Sequence, residues 1–461
     1  MAEAKTRIER DSMGEVELPQ DALYGAQTQR AVTNFARLGG PMPERFVRAL
    51  LLQKCAAARA NIGLGQLDAE IGGAIANAAV QLMRDPGLMA HFPVDVYQTG
   101  SGTSSNMNAN EVLATLAARE LGKPVSANDH VNAGQSSNDS IPAALHIAAS
   151  LALARELLPA LETLTHAIRA KAGEVGHHVK TGRTHLMDAM PVTFAQVLGG
   201  WAAQVEAQIG QLRSLQPRIQ GLAQGGTAVG TGINAHPQFA QSFCRELSTL
   251  CGETFTPAPD FFAAMGSQDA AVALSGALRG LAVTLMKIAN DLRWMNSGPL
   301  AGLAEIELKA LQPGSSIMPG KVNPVIPEAV AMAAAQVIGH DAAIAIAGQS
   351  GSFELNVMLP LVAHNLLDSL QLMAGASREL GERAIATFKV NEAGLKQALS
   401  RNPILVTALN PRIGYLKAAE IAKRAYKENR PIIDVAEEDS GIARAELEEL
   451  LDPARLTQGG L

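Results

Sequence analysis

The sequence predicts an all-α protein, and three observations predict it. Hydrophobic residues make up 47% of 461 positions but aromatics only 4%, so Ala, Leu, Val and Ile carry the apolar share. Ala and Leu are strong helix formers. Leu274, Leu278, Leu281, Leu285, Ile288, Leu292 and Met295 recur at alternating spacings of four and three, which lines them along one side of about 33 Å of helix. A second stripe, Ile147, Leu151, Leu158, Leu161 and Ile168, reads as the seam of a helix bundle. A chain this long can bury a large core and form more than one domain.

Composition also excludes function classes. The net charge is −6 with no basic block, which argues against nucleic acid as a partner. The first twelve residues are charged and lack an apolar core, so neither a signal peptide nor an anchor is expected. No apolar run reads as long and clean enough to span a bilayer, so no membrane partner is expected. Cys55, Cys244 and Cys251 form no Cys-x-x-Cys pair, which speaks against a disulfide framework or an iron–sulfur cluster and for a cytoplasmic location. The ten histidines are scattered and His177–His178 are adjacent rather than helically spaced, so no metal and no cofactor is expected.

Taken in order, residues 1–40 are broken by Gly14, Pro19, Gly25 and Gly39–Gly40 and predict short strands or turns. Helical patterns follow at 44–62 and 69–84. Gln98 to Asn106 is a polar small-residue turn leading into a helix over Asn110–Leu121. Its hydroxyls and backbone N–H groups exceed what one N-cap needs and suit an anion. A second polar segment, 124–139, opens the long helix of the second stripe, which Pro159 bends without ending. Lys180–Asp188 is a third polar loop. A helix follows from Thr193 to about Leu222 with Pro217 as kink or terminator, and Gly225–Gly232 connects helices. Helices then run over Leu274–Met295, Glu328–Ile346 and Leu355–Leu380, the last striped by Leu359, Val362, Leu366 and Met373. Five long helices between about 140 and 390 thus predict a bundle that completes itself across subunits. The more charged chain from Asn391 onward reads as a separate small domain. The division is 1–135, 136–391 and 392–461.

The densest chemistry lies in Gly314–Ser315–Ser316–Ile317–Met318–Pro319–Gly320–Lys321–Val322–Asn323–Pro324. Its prolines and glycines forbid helix and suit a hinged polar loop. It is no phosphate loop, because five residues separate Gly314 from Gly320 and Val322 follows the Lys where a Ser or Thr belongs. Four polar loops at helix ends supply hydroxyls, amides, one Lys and one His. That set suits proton transfer on a small carboxylate-bearing substrate.

The Gly314–Pro324 segment resembles the signature G-S-S-x-x-P-x-K-x-N of the fumarase/aspartase superfamily. Gly182–Arg183–Thr184–His185, Ser136–Ser137–Asn138 and Gly100–Ser101–Gly102–Thr103 resemble its other active-site segments, in the same order over essentially the whole chain. The nearest branch is the metal-free, tetrameric class II fumarate hydratases. The resemblance implies a three-domain, mainly helical fold with a central five-helix bundle, packed as a twenty-helix tetramer core with each active site shared by three subunits. It implies reversible addition of water to fumarate to give L-malate, a step of the tricarboxylic acid cycle.

The resemblance also assigns roles. Ser315 is the base that takes the C3 proton, and His185, oriented by Glu328, handles the other face. Ser101, Gly102, Thr103, Ser136, Ser137, Asn138, Thr184, Ser316, Lys321, Val322 and Asn323 hold substrate or water. A serine hydroxyl is a weak base at neutral pH and needs loop N–H groups and Lys321 to stabilise its alkoxide. The family's second dianion site maps to Ser126, Ala127, Asn128 and Asp129, where Ser126 stands in place of the usual His. Aspartate ammonia-lyase is the rival within the fold, and its members commonly carry Ala at the positions of Ser101 and Gly320. A non-catalytic helical scaffold would have lost Ser315, His185 or Lys321, and all three are present.

Overall fold

The computed structural model describes residues 5–35 and 38–459. The first four and last two residues of the expected terminal segments, and positions 36–37, lie outside the described residues. The elements in chain order are β1 (Thr6–Asp11), β2 (Gly14–Pro19), α1 (Ala26–Asn34), α2 (Glu44–Gly63), α3 (Ala69–Leu82), α4 (Thr103–Leu121), α5 (Ser137–Ala152), α6 (Leu158–Val175), β3 (Val179–Thr184), β4 (Met187–Thr193), α7 (Phe194–Ile219), β5 (Gly221–Leu222) and α8 (Phe239–Cys251). They continue with β6 (Thr256–Pro257), α9 (Phe261–Gly266), α10 (Asp269–Met295), β7 (Ile306–Glu307), α11 (Val325–Gln349), β8 (Gly351–Ser352), β9 (Leu355–Asn356), α12 (Leu359–Glu379), β10 (Lys389–Val390), α13 (Glu392–Ser400), α14 (Asn410–Ile413), α15 (Tyr415–Glu428), α16 (Ile432–Ser440) and α17 (Arg444–Leu450). With 63% helix the all-α expectation holds, and among the described residues the strands pair only two by two.

Five long helices stand in the expected order, but the last begins at Leu359 rather than Leu355, because Leu355–Asn356 pair with Gly351–Ser352 in a small hairpin. All seven stripe residues of α10 are buried, as are Leu359, Val362, Leu366 and Met373 of α12. The second stripe needs correction. A π-helical turn over Leu153–Leu157 joins α5 to α6, so Ser137–Val175 runs as 39 residues of helix through Pro159. A π turn inserts an extra residue and rotates the buried face. Leu151 and Leu158 are therefore only half-buried, while Leu153 and Leu157 take the interior.

Three further expectations are corrected. The region 1–40 holds the β1–β2 hairpin but also α1. The Lys180–Asp188 segment is no loop: β3 and β4 pair antiparallel with a register shift between Thr181 and Arg183. Three helices, over Ser137–Val175, Asp269–Met295 and Val325–Gln349, are long and apolar enough to cross a membrane by length and composition. Their few charges stand far enough apart to leave such stretches intact. Within the chain 72%, 56% and 33% of those stretches are buried.

The described residues form two compact units. The first comprises residues up to 159 with 210–282 and 335–374. Its interior includes Phe46, Leu50, Leu51, Ile75, Leu113, Ile141 and Leu145. The start of α1 has no local side-chain cap. Instead Glu111 of α4 accepts hydrogen bonds from the N–H groups of Gly25, Gln27 and Thr28 and from the Thr28 hydroxyl, placing a carboxylate where the helix dipole favours it. The second unit comprises 160–209, 283–334 and 375–461. Within it α15, α16 and α17 enclose a core of their own, including Leu405, Leu409, Ile421, Val435 and Leu447.

Candidate active site

In the first unit, two polar turns lie at helix starts. Gly102 precedes α4 with φ of 72° and offers no side chain to the first-turn amides. Its backbone presses on α5, since a Cβ there would stand 2.8 Å from Ile141. Gly100 is closer still to a neighbour. A Cβ on it would lie 1.5 Å from the Val357 carbonyl oxygen, and its own carbonyl accepts the Leu359 N–H at 3.0 Å. Ser101 Oγ and Thr103 Oγ1 share a hydrogen bond of 2.8 Å. These contacts fix a short hydroxyl-bearing turn at the positive end of α4.

Ser136 caps α5 in a capping box with Asp139. Its side chain accepts the Asn138 N–H, so its first task is to start the helix. Asn138 Nδ2 donates to the Ala228 carbonyl at 2.8 Å. Ser137 Oγ accepts from Asn106 Nδ2 at 3.1 Å. Behind it stands a hub the sequence reading missed: Asn132 Oδ1 accepts from Lys54 Nζ, Asn106 Nδ2 and Asn110 Nδ2 at 3.1, 3.2 and 3.1 Å. Lys54 also donates to Gln135 Oε1 at 3.0 Å. Ser136, Ser137, Asn106, Asn132 and Gln135 border a cavity of about 330 Å³ together with Thr227.

Lys54 and Asp139 are both fully buried. Burial pushes the Lys54 ammonium down to about 7, with Asp139 opposing. Burial likewise pushes the Asp139 carboxyl up to about 6, against hydrogen bonds from the N–H groups of Gly225, Ser136 and Thr227 and the pull of Lys54. The missed signal was the Gln53–Lys54 pair inside the otherwise apolar stretch Leu50–Ala58, and Asn at 106, 108 and 110 in a helix that otherwise favours Ala and Leu.

Ser126 and Asp129, expected at the second dianion site, satisfy one another. The Ser126 hydroxyl accepts the Asp129 N–H at 3.0 Å and donates to Asp129 Oδ2 at 2.8 Å, while His130 Nδ1 accepts the Ser126 N–H. Ala127 and Asn128 line a cavity of about 730 Å³ whose walls carry Glu9, Asp11 and Glu111 beside Arg10 and Arg119.

In the second unit, the β3–β4 hairpin carries Thr184 and His185, both exposed. Gly182 sits at the register shift, where a Cβ would meet the Met190 carbonyl oxygen at 2.4 Å. The two-residue turn is His185–Leu186, with φ of 55° and 60°. Both are left-handed, a conformation that costs an L-residue with a Cβ about 1–2 kcal/mol. Strain of this kind gathers at functional positions. Beneath the hairpin, Glu305 pairs with Lys180 at 3.0 Å and with Arg183 at 2.6 Å.

The loop 314–324 is tied across its base. Gly314 N–H donates to the Lys321 carbonyl at 2.8 Å, and Asn323 Nδ2 donates to the Gly314 carbonyl at 2.7 Å. A Cβ on Gly314 would lie 2.6 Å from the Lys321 oxygen, so the pinch requires glycine. Ser315 Oγ accepts the N–H groups of Met318 and Ile317 at 3.0 and 3.3 Å. Ser316, Lys321 and Val322 are exposed. Glu328 lies in the first turn of α11. Among the described residues no ion pair joins Glu328 to His185, so the expected acid–histidine contact is not made within one chain.

A serine hydroxyl in an amide nest in the second unit and donor-rich helix-end turns in the first are residue types that a lyase acting on carboxylates uses. The chain matches a family model described as lyase over residues 14–339 and one described as fumarase C C-terminus over 405–458, and it belongs to this family of fumarase-type lyases. Among its relatives is fumarate hydratase class II 2 of Pseudomonas aeruginosa, 69% identical over 99% of both chains. The fumarate hydratase class II of Thermus thermophilus is 46% identical over 98% of both. The crystal structure of the class II fumarase of Schistosoma mansoni superimposes with a TM-score of 0.95 at 34% identity, covering 98% of this chain and 99% of that one. These findings bear out the resemblance read from the motifs.

Proposed function

We propose that this chain is a fumarate hydratase that adds water reversibly and anti across fumarate to give L-malate. The observation that carries the reading is the environment of Ser315, whose oxygen already accepts two backbone N–H groups. In the dehydration direction, from L-malate to fumarate, an alkoxide at Ser315 takes the C3 proton. The same two donors hold its negative charge before that step, and Lys321 adds a cation from the same loop. Charge left on the substrate moves into the adjacent carboxylate. Lys321, Asn323, Ser316 and Val322 hold the carboxylates on one side, and Ser101, Gly102, Thr103, Ser136 and Ser137 on the other. His185 protonates the departing C2 hydroxyl, which leaves as water, while Thr184 and Asn138 place that water. Asn323 contributes through the second N–H of its Nδ2, because the first is committed to the Gly314 carbonyl.

The reading includes a homotetramer with sites shared by three subunits, in which Glu328 reaches His185 of another copy. The support is α11, whose most apolar stretch is only 33% buried and which exposes Met332 and Ile346 at 69% and 58%. Apolar surface of that extent calls for a cover. A three-part division into 1–135, 136–391 and 392–461, a metal-independent reaction and a cytoplasmic location complete the proposal. The separate core of α15–α17 supports the last of the three parts.

Chelator-stripped protein should generate the ultraviolet absorbance of fumarate from L-malate and not from L-aspartate. Release of ammonia from aspartate alone would hand the site to the ammonia-lyase reading. Ser315→Ala and His185→Asn should each cut turnover by at least about a hundredfold with the assembly intact. Near-normal turnover in Ser315→Ala would remove the base.

A further inference from the structure

We infer that Glu305 is a positioning residue for His185, a buried carboxylate that clamps strand β3 and holds the hairpin tip in its left-handed turn. The inference rests on the hydratase reading for the role of His185, and on the geometry of the second unit for everything else.

Lys180 and Arg183 stand three residues apart on β3, and the strand ends one residue before His185. Glu305 is 3% exposed and Lys180 6%, so both the carboxylate and the ammonium are shut away from water. One carboxylate oxygen accepts from Arg183 at 2.6 Å and the other lies 3.0 Å from Lys180 Nζ. The grip therefore takes β3 at two points, on either side of the register shift that already weakens its pairing with β4. Glu305 is itself anchored. Its N–H donates to the Met295 carbonyl at the end of α10, and its carbonyl accepts the Asn391 N–H just before α13.

The tip needs such a clamp. His185 and Leu186 are consecutive left-handed residues, where a two-residue turn of this type ordinarily has Asn or Asp followed by Gly. Neither residue favours the turn, and both are exposed, so nothing local at the tip enforces it. The two cations beneath add a second effect. Without the carboxylate, Lys180 and Arg183 would be two like charges under one strand, and their repulsion would move the strand that carries His185.

The test is a cycle of Glu305→Gln and Leu186→Gly in the full-length enzyme, read by steady-state turnover of L-malate and thermal unfolding. Glu305→Gln should lower kcat by about ten- to a hundredfold, the scale of a misplacement near 1 Å, with KM within about twofold because the carboxylate-holding turns lie elsewhere. Leu186→Gly alone should leave kcat within about twofold, since glycine adopts the left-handed turn freely. In the double variant it should restore kcat at least about threefold over Glu305→Gln. A merely structural Glu305 would lose thermal stability without that rescue. Wild-type kcat in folded Glu305→Gln, or no rescue by Leu186→Gly, overturns the inference. Should Glu305→Gln fail to fold, Arg183→Lys takes its place: it keeps the charge and shortens the reach, and unaltered kcat in it overturns the clamp equally. A wild-type enzyme inert on L-malate overturns the hydratase reading and this role with it; an active wild type beside an unaffected variant overturns this role alone.

Discussion

Lys54→Met should change how stability depends on pH, and the change can be worked from the fold. Lys54 is wholly enclosed, with Asp139 as the charge acting on it and the Asn132 and Gln135 side-chain oxygens as acceptors. Its ammonium titrates near 7 in the folded chain against 10.5 in the unfolded one. Between those values the unfolded state holds the proton and the folded state has lost it, so folding stability rises with pH. The slope approaches about 1.4 kcal/mol per pH unit, and from pH 7 to 9 it integrates to about 2 kcal/mol once half-titration at pH 7 is counted. Met cannot titrate, so the variant lacks that gain. Asp139 has the opposite sign: its folded carboxyl is raised to about 6 from 3.8, so its stabilising share is present below 3.8 and lost as pH rises through 6. Without the cation it titrates higher in the variant, which widens the gap in the same direction. Urea midpoints for both proteins at pH 7, 8 and 9, at one protein concentration, measure the effect. Parallel pH profiles would refute the argument and mean that Lys54 carries no appreciable shift.

Two further outcomes are expected. Gly100→Ala would put a Cβ 1.5 Å from the Val357 oxygen, and ordinary contact begins at 3.4 Å. The turn must move by about 2 Å, and kcat/KM should fall at least about a hundredfold, measured beside a thermal melt to confirm folding. At the other end of the chain, hydrogen bonds from Arg430 and then Arg424 hold the Glu438 carboxyl down to about 2 from 4.5. A depressed acid stabilises above its unfolded value and loses that contribution as pH falls, here between 4.5 and 2. Hydrogen-exchange protection in α15 and α16 should therefore fall more steeply with acid in the wild type than in Glu438→Gln, and added salt should narrow the difference because the pairs are exposed.

The helices were legible because their stripes are local. A Leu every three or four residues declares α10 without help from the rest of the chain, and Asp68 or Ser136 marks a start by its own side chain. α1 was not legible because its cap, Glu111, lies 84 residues beyond the Gln27 N–H it accepts. The π turn at 153–157 was hidden in a segment whose Ala and Leu fit either register. The β3–β4 hairpin carries Thr, Gly, Arg and Asp in no alternation and turns on His–Leu, so nothing in it announced strands. The polar site residues stood out because four loops carried more donors than caps require. Lys54 and the Asn132 hub did not, because they join α2, α4 and the turn before α5 through contacts far apart in sequence.

The pinch between Gly314, Lys321 and Asn323 has a consequence for placement. Two hydrogen bonds close the segment into a ring that carries Ser315 and Lys321 together, so the positions of the two groups are tied to one another. Under the proposed roles, proton acceptor and counter-charge are therefore placed by one knot, and a methyl on Gly314 is expected to disturb both at once.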